Sequence, residues 1–152
     1  MRRIIKTAPP NSFVTYCQEV GARYDSIDSN VKHDLLISLL NEQGWICGYC
    51  QQRIVHESKA KIEHHCEQTI CDGVTKTPDR RLDYTNLMAV CLGQDGFNVL
   101  TCDSNKARFD VTSGLPIGVS PWIAAHMSAI YYKQSGTVNS LTTQHDGELE
   151  QI

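Results

Sequence analysis

Seven cysteines in 152 residues constrain this chain more than any other feature. Four of them, Cys47 and Cys50 in a Cys-x-x-Cys knuckle and then Cys91 and Cys102, supply the four soft thiolates of a closed tetrahedral zinc site. Gly48 between the first pair is expected to allow the tight turn that lets two sulfurs converge. The ten residues separating Cys91 from Cys102 are too many for a second knuckle, so they must make an excursion whose ends meet. Cys66 and Cys71 are rival ligands, ranked second because they sit inside the segment that carries the other chemical residues. A chain this short has a modest core, and a structural zinc ion contributes about 10–16 kcal/mol of apparent binding free energy to such a fold.

The odd cysteine count and the absence of a charged-then-apolar leader over Met1 to Phe13 argue against a secreted disulfide scaffold. No apolar run approaches the roughly 20 residues of a membrane span. The expectation is a cytoplasmic protein in a reducing compartment, whose thiols bind metal or lie buried. A net charge of -3 disfavours a stand-alone nucleic-acid binder, because such affinity comes largely from Lys and Arg displacing counterions. The basic clusters, Arg2, Arg3 and Lys6, then Lys59 and Lys61, Arg80 and Arg81, and Lys106 and Arg108, read as solvated surface groups.

Along the chain, a loop at Pro9 to Ser12 leads into a short helix expected over Phe13 to Tyr24. Val31, Leu35, Leu36, Leu39 and Leu40 share one helical face, with Asp28 or Ser29 as N-cap and Gly44 as terminator. Ile54 to His65 is extended in parts, and Leu87 to Val90 is a second extended run entering Cys91. Between them, Asp72 to Arg81 is a polar, turn-rich loop; Asp103 to Phe109 suits a short helix. Ile130 to Tyr132 and Thr137-Val138 flank Ser135-Gly136 as a hairpin, and Gly147 to Ile152 give no terminating signal, as expected of a chain that continues. The organisation expected is one domain over 1–152: a helical part (1–44), a zinc-bound core (45–110) and a C-terminal extension (111–152).

Ile62-Glu63-His64-His65, then Leu82-Asp83-Tyr84-Thr85-Asn86-Leu87, then Cys102-Asp103-Ser104-Asn105-Lys106 follow the Cys47-Gly48-Tyr49-Cys50 knuckle in order. This arrangement resembles the HNH endonucleases, and most of all the PtuB-like HNH subunits of Septu and retron-associated anti-phage defence systems, over roughly residues 1 to 138. The resemblance implies an α+β fold with a zinc-stabilised ββα-metal core, an N-terminal helical segment and a C-terminal hairpin extension. It makes His64 the first histidine of the motif, Asn86 its asparagine and Asp103 the position of its last ligand.

Residue chemistry fits those roles. A neutral imidazole at His64 can take a proton from water near pH 7, and Glu63 and Asp103 offer the oxygen ligands that Mg²⁺ or Mn²⁺ prefers. Asn86 would hold backbone and fix the loop bearing His64. His65 is an alternative to His64, and strand alternation places the two on opposite faces. Asn105 is an alternative metal ligand, and Asp103 could serve only as a helix N-cap. Asp83 and Tyr84 read as structural. The pattern departs from the general HNH motif in having Cys66-Glu67 where a proline is common, and Asp103 where His or Asn is usual.

The resemblance implies phosphodiester hydrolysis in DNA or RNA, tRNA included, by an effector subunit partnered by an ABC-type ATPase of the PtuA kind. In retron versions a reverse transcriptase and its RNA–DNA product are further partners. The competing readings are a non-catalytic zinc adaptor for the ATPase and a zinc-ribbon nucleic-acid binder.

Overall fold

A computed structural model describes residues 1–66, 79–93, 102, 118–135 and 137–149. Cys71, Asp103, Asn105 and the helix expected from Asp103 to Phe109 lie outside the described residues, as does most of the expected loop before Arg81.

The N-terminal half is built on two helices. Helix α1 (Asn11–Cys17) buries Phe13 and Tyr16. It ends before the expected Tyr24: Val20 is fully exposed, and Gly21 turns the backbone into the left-handed region at φ +81°. A 3-10 turn follows at Tyr24–Ser26. Helix α2 (Ser29–Gln43) has the boundaries its signals predict. The Asp28 carboxylate accepts the Asn30 N–H at 2.8 Å, and Gly44 closes the far end at φ +68°. Its inner face buries Leu35, Leu39 and Leu40 completely, each leucine worth about 1.5–3 kcal/mol of transfer free energy.

Strands β1 (Ala60–His64) and β2 (Leu87–Cys91) pair antiparallel, with Ala60 opposite Cys91 and His64 opposite Leu87. The ladder runs one bond further, His65 N–H donating to the Asn86 carbonyl at 2.9 Å. Leu87, Met88, Ala89 and Val90 are wholly buried, which is why the run is apolar without alternation. The other edge of β2 is satisfied by a side chain. Buried Gln43, at the end of α2, accepts the Ala89 N–H at 2.7 Å and donates to the Ala89 carbonyl at 2.8 Å. One amide therefore fixes β2 against α2.

The opening residues fasten the same corner. Lys6 Nζ donates to Glu42 Oε1 at 2.5 Å and to the Leu87 carbonyl at 2.6 Å, over the face of the Tyr84 ring. Burial pulls the Lys6 ammonium below its ordinary value, with Glu42 opposing. Tyr84 also donates to Glu42 and Asp83 caps the 3-10 turn Tyr84–Asn86, the structural parts expected of them.

Helix α3 (Ala124–Ala129), strands β3 (Ile130–Tyr132) and β4 (Val138–Ser140) and helix α4 (Thr143–Leu149) form a second, smaller cluster around Val119, Met127, Ile130 and Leu149. The hairpin of β3 and β4 is as expected, with Ile130 opposite Ser140. The two helices flanking it were not expected. Helix α4 is tied down by Asp146, which accepts the Ser140 N–H and the Asn139 amide, and by Glu148, which accepts the Val119 N–H. No helix of the described residues is long and apolar enough to cross a membrane.

Candidate active site and metal centre

The knuckle leaves α2 through Trp45 and turns back after Cys50. The left-handed residue of this turn is Gln51, at φ 62°. Gly48 is needed for close approach. A Cβ there would lie 2.6 Å from Met88 Sδ, and its N–H bonds the Ala89 carbonyl at 3.0 Å. The knuckle is thereby pressed onto β2, whose last residue is Cys91.

Cys47, Cys50, Cys91 and Cys102 converge, all four sulfurs within 4.8 Å of one another. The pairs Cys91–Cys102, Cys47–Cys102 and Cys50–Cys91 are 3.5, 3.7 and 3.9 Å apart. Four sulfurs at a Zn–S distance of about 2.3 Å have tetrahedral edges of about 3.8 Å, close to these three separations, so the cluster could hold a zinc ion. The four thiols share protons: hydrogen bonding by Cys102 holds Cys91 well below the ordinary thiol value and Cys47 down to about 7. Cys102 itself is pushed far up by its bonds to Cys47, Cys50 and Cys91. A divalent cation would replace those shared protons, as metal binding to thiolates does. Cys66 is no rival ligand, since it is disulfide-bonded.

Glu63 and His64 end β1, at 8% and 4% exposure. Glu63 Oε1 accepts the Tyr49 hydroxyl at 3.2 Å, so the knuckle touches the carboxylate directly. The His64 ring packs against Tyr24 edge to face with centroids 4.5 Å apart, and its Nε2 lies 2.9 Å from the Arg81 carbonyl. A carbonyl only accepts, so Nε2 carries a proton, and in the neutral form of the ring the basic nitrogen is Nδ1. Burial, then the nearby Glu63 charge, raise the Tyr24 phenol to about 12. Glu63 and His64 thus both bear on Tyr24, although they are neighbours on a strand.

Asn86 straps the chain just beyond His64. Its amide donates to the Cys66 carbonyl at 3.1 Å and accepts the Cys66 N–H at 2.8 Å. His65 lies on the other side, its ring 5.1 Å from that of Trp122.

No family model matches the chain. Over 123 residues, 72% of this chain, it is 27% identical to an Escherichia coli protein named "Retron Ec83 putative HNH endonuclease". The likeness supports the HNH family. The chain spans about half the length of that relative, 47% of it.

Of the residues that the HNH resemblance singles out, Glu63, His64 and Asn86 stand together at the open end of the β1–β2 ladder, and the four cysteines at its other end. Asp103 and Asn105 lie outside the described residues. Arg81 is not the solvated surface group expected. It is 5% exposed, gripped by both oxygens of Asp79 and, at 2.7 Å, by Asp25. Sequence reading also missed Tyr24, Tyr49 and Gln43. None has a spacing signal, because each reaches its partner from a distant part of the chain.

Proposed function

We propose that this chain is a metal-dependent HNH endonuclease effector of an anti-phage defence complex, hydrolysing phosphodiester bonds in DNA or RNA. The observation that carries the reading is Glu63-His64 at the end of β1 with Asn86 bonding the backbone directly beyond it, on a ladder whose other end bears four converging sulfurs. Zinc on Cys47, Cys50, Cys91 and Cys102 is structural, the ladder's clamp.

In this reading His64 is the general base. It needs only its Nδ1 edge at a water; the packing of the rest of the ring fixes its direction. Glu63 and Asp103, or Asn105, are the oxygen ligands for Mg²⁺ or Mn²⁺, which when bound supplies positive charge to the phosphoryl oxygens. Asn86 makes no bond in the reaction and holds the strand end in place. The acid-leaning charge of -3 leaves the grip on substrate to a partner. The relative's retron name supports a defence setting; an ABC-type ATPase of the PtuA kind, and in retron systems a reverse transcriptase with its RNA–DNA product, are the proposed partners.

The test is cleavage of DNA and of RNA, with Mg²⁺ or Mn²⁺, by the protein together with whatever ATPase co-purifies. Products that vanish with chelator and with His64→Ala are expected; equal cleavage by wild type and His64→Ala overturns the proposal.

The burial of His64 favours a second reading, a zinc adaptor that assembles with the ATPase and does no chemistry. A His64→Ala protein that folds, binds its partner and still protects cells selects that reading.

A further inference from the structure

Among the described residues, the Arg81 carbonyl and the Tyr24 ring touch the His64 ring from different directions, and one carboxylate anchors both. The Arg81 carbonyl meets Nε2 at 2.9 Å, and the Tyr24 ring meets the imidazole 4.5 Å away, centroid to centroid. The Arg81 carbonyl belongs to the 3-10 turn Arg80–Leu82, which Asp79 caps: its Oδ1 accepts the Arg81 N–H at 3.0 Å, and its own carbonyl accepts the Leu82 N–H at 2.9 Å. The other carboxylate oxygen accepts the Tyr24 N–H at 3.1 Å. The Arg81 guanidinium then closes the arrangement, donating through Nε to both Asp79 oxygens and through Nη2 at 2.9 Å to Oδ2. A third anchor is the more exposed Asp25, one residue after Tyr24, which takes Arg81 Nη1 at 2.7 Å.

We propose that Asp79 is the positioning residue of the candidate active site: through Arg81 and Tyr24 it holds His64 in the Nε2–H tautomer, leaving Nδ1 as the basic nitrogen. The assignment rests on the reading of His64 as the general base, and it adds a device that lies fifteen residues away in sequence and shares no motif with it. The physical logic is that of a base oriented by a second group. A neutral imidazole exchanges its proton between two nitrogens freely in water, and a fixed carbonyl at one of them selects the tautomer. A backbone carbonyl can do this only if its own turn is rigid. A buried Arg–carboxylate fork, with the cap and the Tyr24 N–H on the same carboxylate, provides that rigidity. The Asp79 side chain is fully buried and the Arg81 side chain 5% exposed, so neither partner is free to wander into solvent.

The experiment uses the full chain labelled with ¹⁵N at histidine, its six imidazoles resolved by two-bond nitrogen–proton correlation and His64 assigned from the His64→Ala spectrum. The wild type, at a pH where the ring is neutral, should show His64 as the Nε2–H tautomer. Asp79→Asn keeps the shape of the carboxylate but removes its charge, and should give a mixed tautomer. Cleavage by that variant should fall about tenfold to a hundredfold in kcat with little change in KM, the scale of a misplaced catalytic group. Asp25→Asn, at the exposed edge of the cluster, should move both quantities the same way by less, and it serves if Asp79→Asn does not fold. An Nδ1–H tautomer in the wild type overturns the proposal. So does a folded Asp79→Asn or Asp25→Asn protein whose His64 spectrum is that of wild type. The spectrum needs no substrate, so it stands apart from the nuclease reading: undiminished cleavage by His64→Ala would remove that reading while leaving the tautomer measurement to judge Asp79.

Discussion

The two ends of the β1–β2 ladder are held by different physics. At the Cys91 end, four sulfurs within 4.8 Å of one another form a shell that an ion can close by itself. At the His64 end, a carboxylate, a guanidinium and a tyrosine ring are packed into one cluster in which every member depends on the others. Metal ligation is local and strong, so it tolerates exposure, and Cys50 is exposed. A buried ion pair tolerates none, because each charge has lost its water and has only its partner in return. The first kind of corner makes a scaffold; the second fixes the direction of one ring.

Stripping the metal should break the contrast most completely. Chelation, or Cys47→Ala, is expected to unfold the ladder, since about 10–16 kcal/mol of metal binding exceeds the roughly 5–15 kcal/mol of net stability of a typical domain. Circular dichroism with zinc analysis on the same sample checks it, and a folded, zinc-free protein would mean that the sulfurs are not the clamp. At the other end, Asp79→Ala strands the buried Arg81 cation and should cost about 3–5 kcal/mol in chemical denaturation. Gly48→Ala probes the seam between the two ends. Its new Cβ would sit 2.6 Å from Met88 Sδ, and overpacking of this kind costs about 1–3 kcal/mol.

Acid should distinguish the corners too. Burial alone would raise the Asp79 carboxyl, but the Arg81 guanidinium and the Tyr24 and Arg81 N–H groups outweigh it and hold it below its ordinary value of 3.8. A depressed carboxyl contributes stability that is complete above its unfolded pKa, near 4, and is lost as pH falls through the lower folded value. Asp79→Asn should therefore flatten the stability profile below about pH 4, relative to wild type, when urea midpoints are compared across that range.

How much of this was legible in the sequence follows the same division. Helix α2, the two strands, the hairpin and the four cysteines could be read because each rests on local signals: Asp28 and Gly44 at the helix ends, an unbroken apolar run at Leu87–Val90, a Cys-x-x-Cys spacing. Asn86 stood out through its motif, and its amide bonds the backbone of Cys66 through both N–H and carbonyl. Arg81 was read as surface because an arginine beside another arginine usually is; only the fold brings Asp79 and Asp25 onto it. Gln43 escaped for a related reason. A polar residue on the inner face of a helix looks like a break in the pattern until the backbone of Ala89 is beside it. The flanking helices α3 and α4 are short, six and seven residues, and each buries a single apolar side chain, Met127 and Leu149, too few for an apolar stripe that a sequence could display; α4 is held further through Asp146 and Glu148.

In the proposed division of labour, sulfur holds the frame and His64 does the chemistry. The most direct test is single-turnover cleavage by His64→Ala beside wild type, with zinc content and melting temperature measured on both. Equal zinc and equal melting with cleavage lower by about 10²–10⁴-fold is the result predicted for loss of a general base. Undiminished cleavage by a folded, zinc-loaded His64→Ala protein would contradict it.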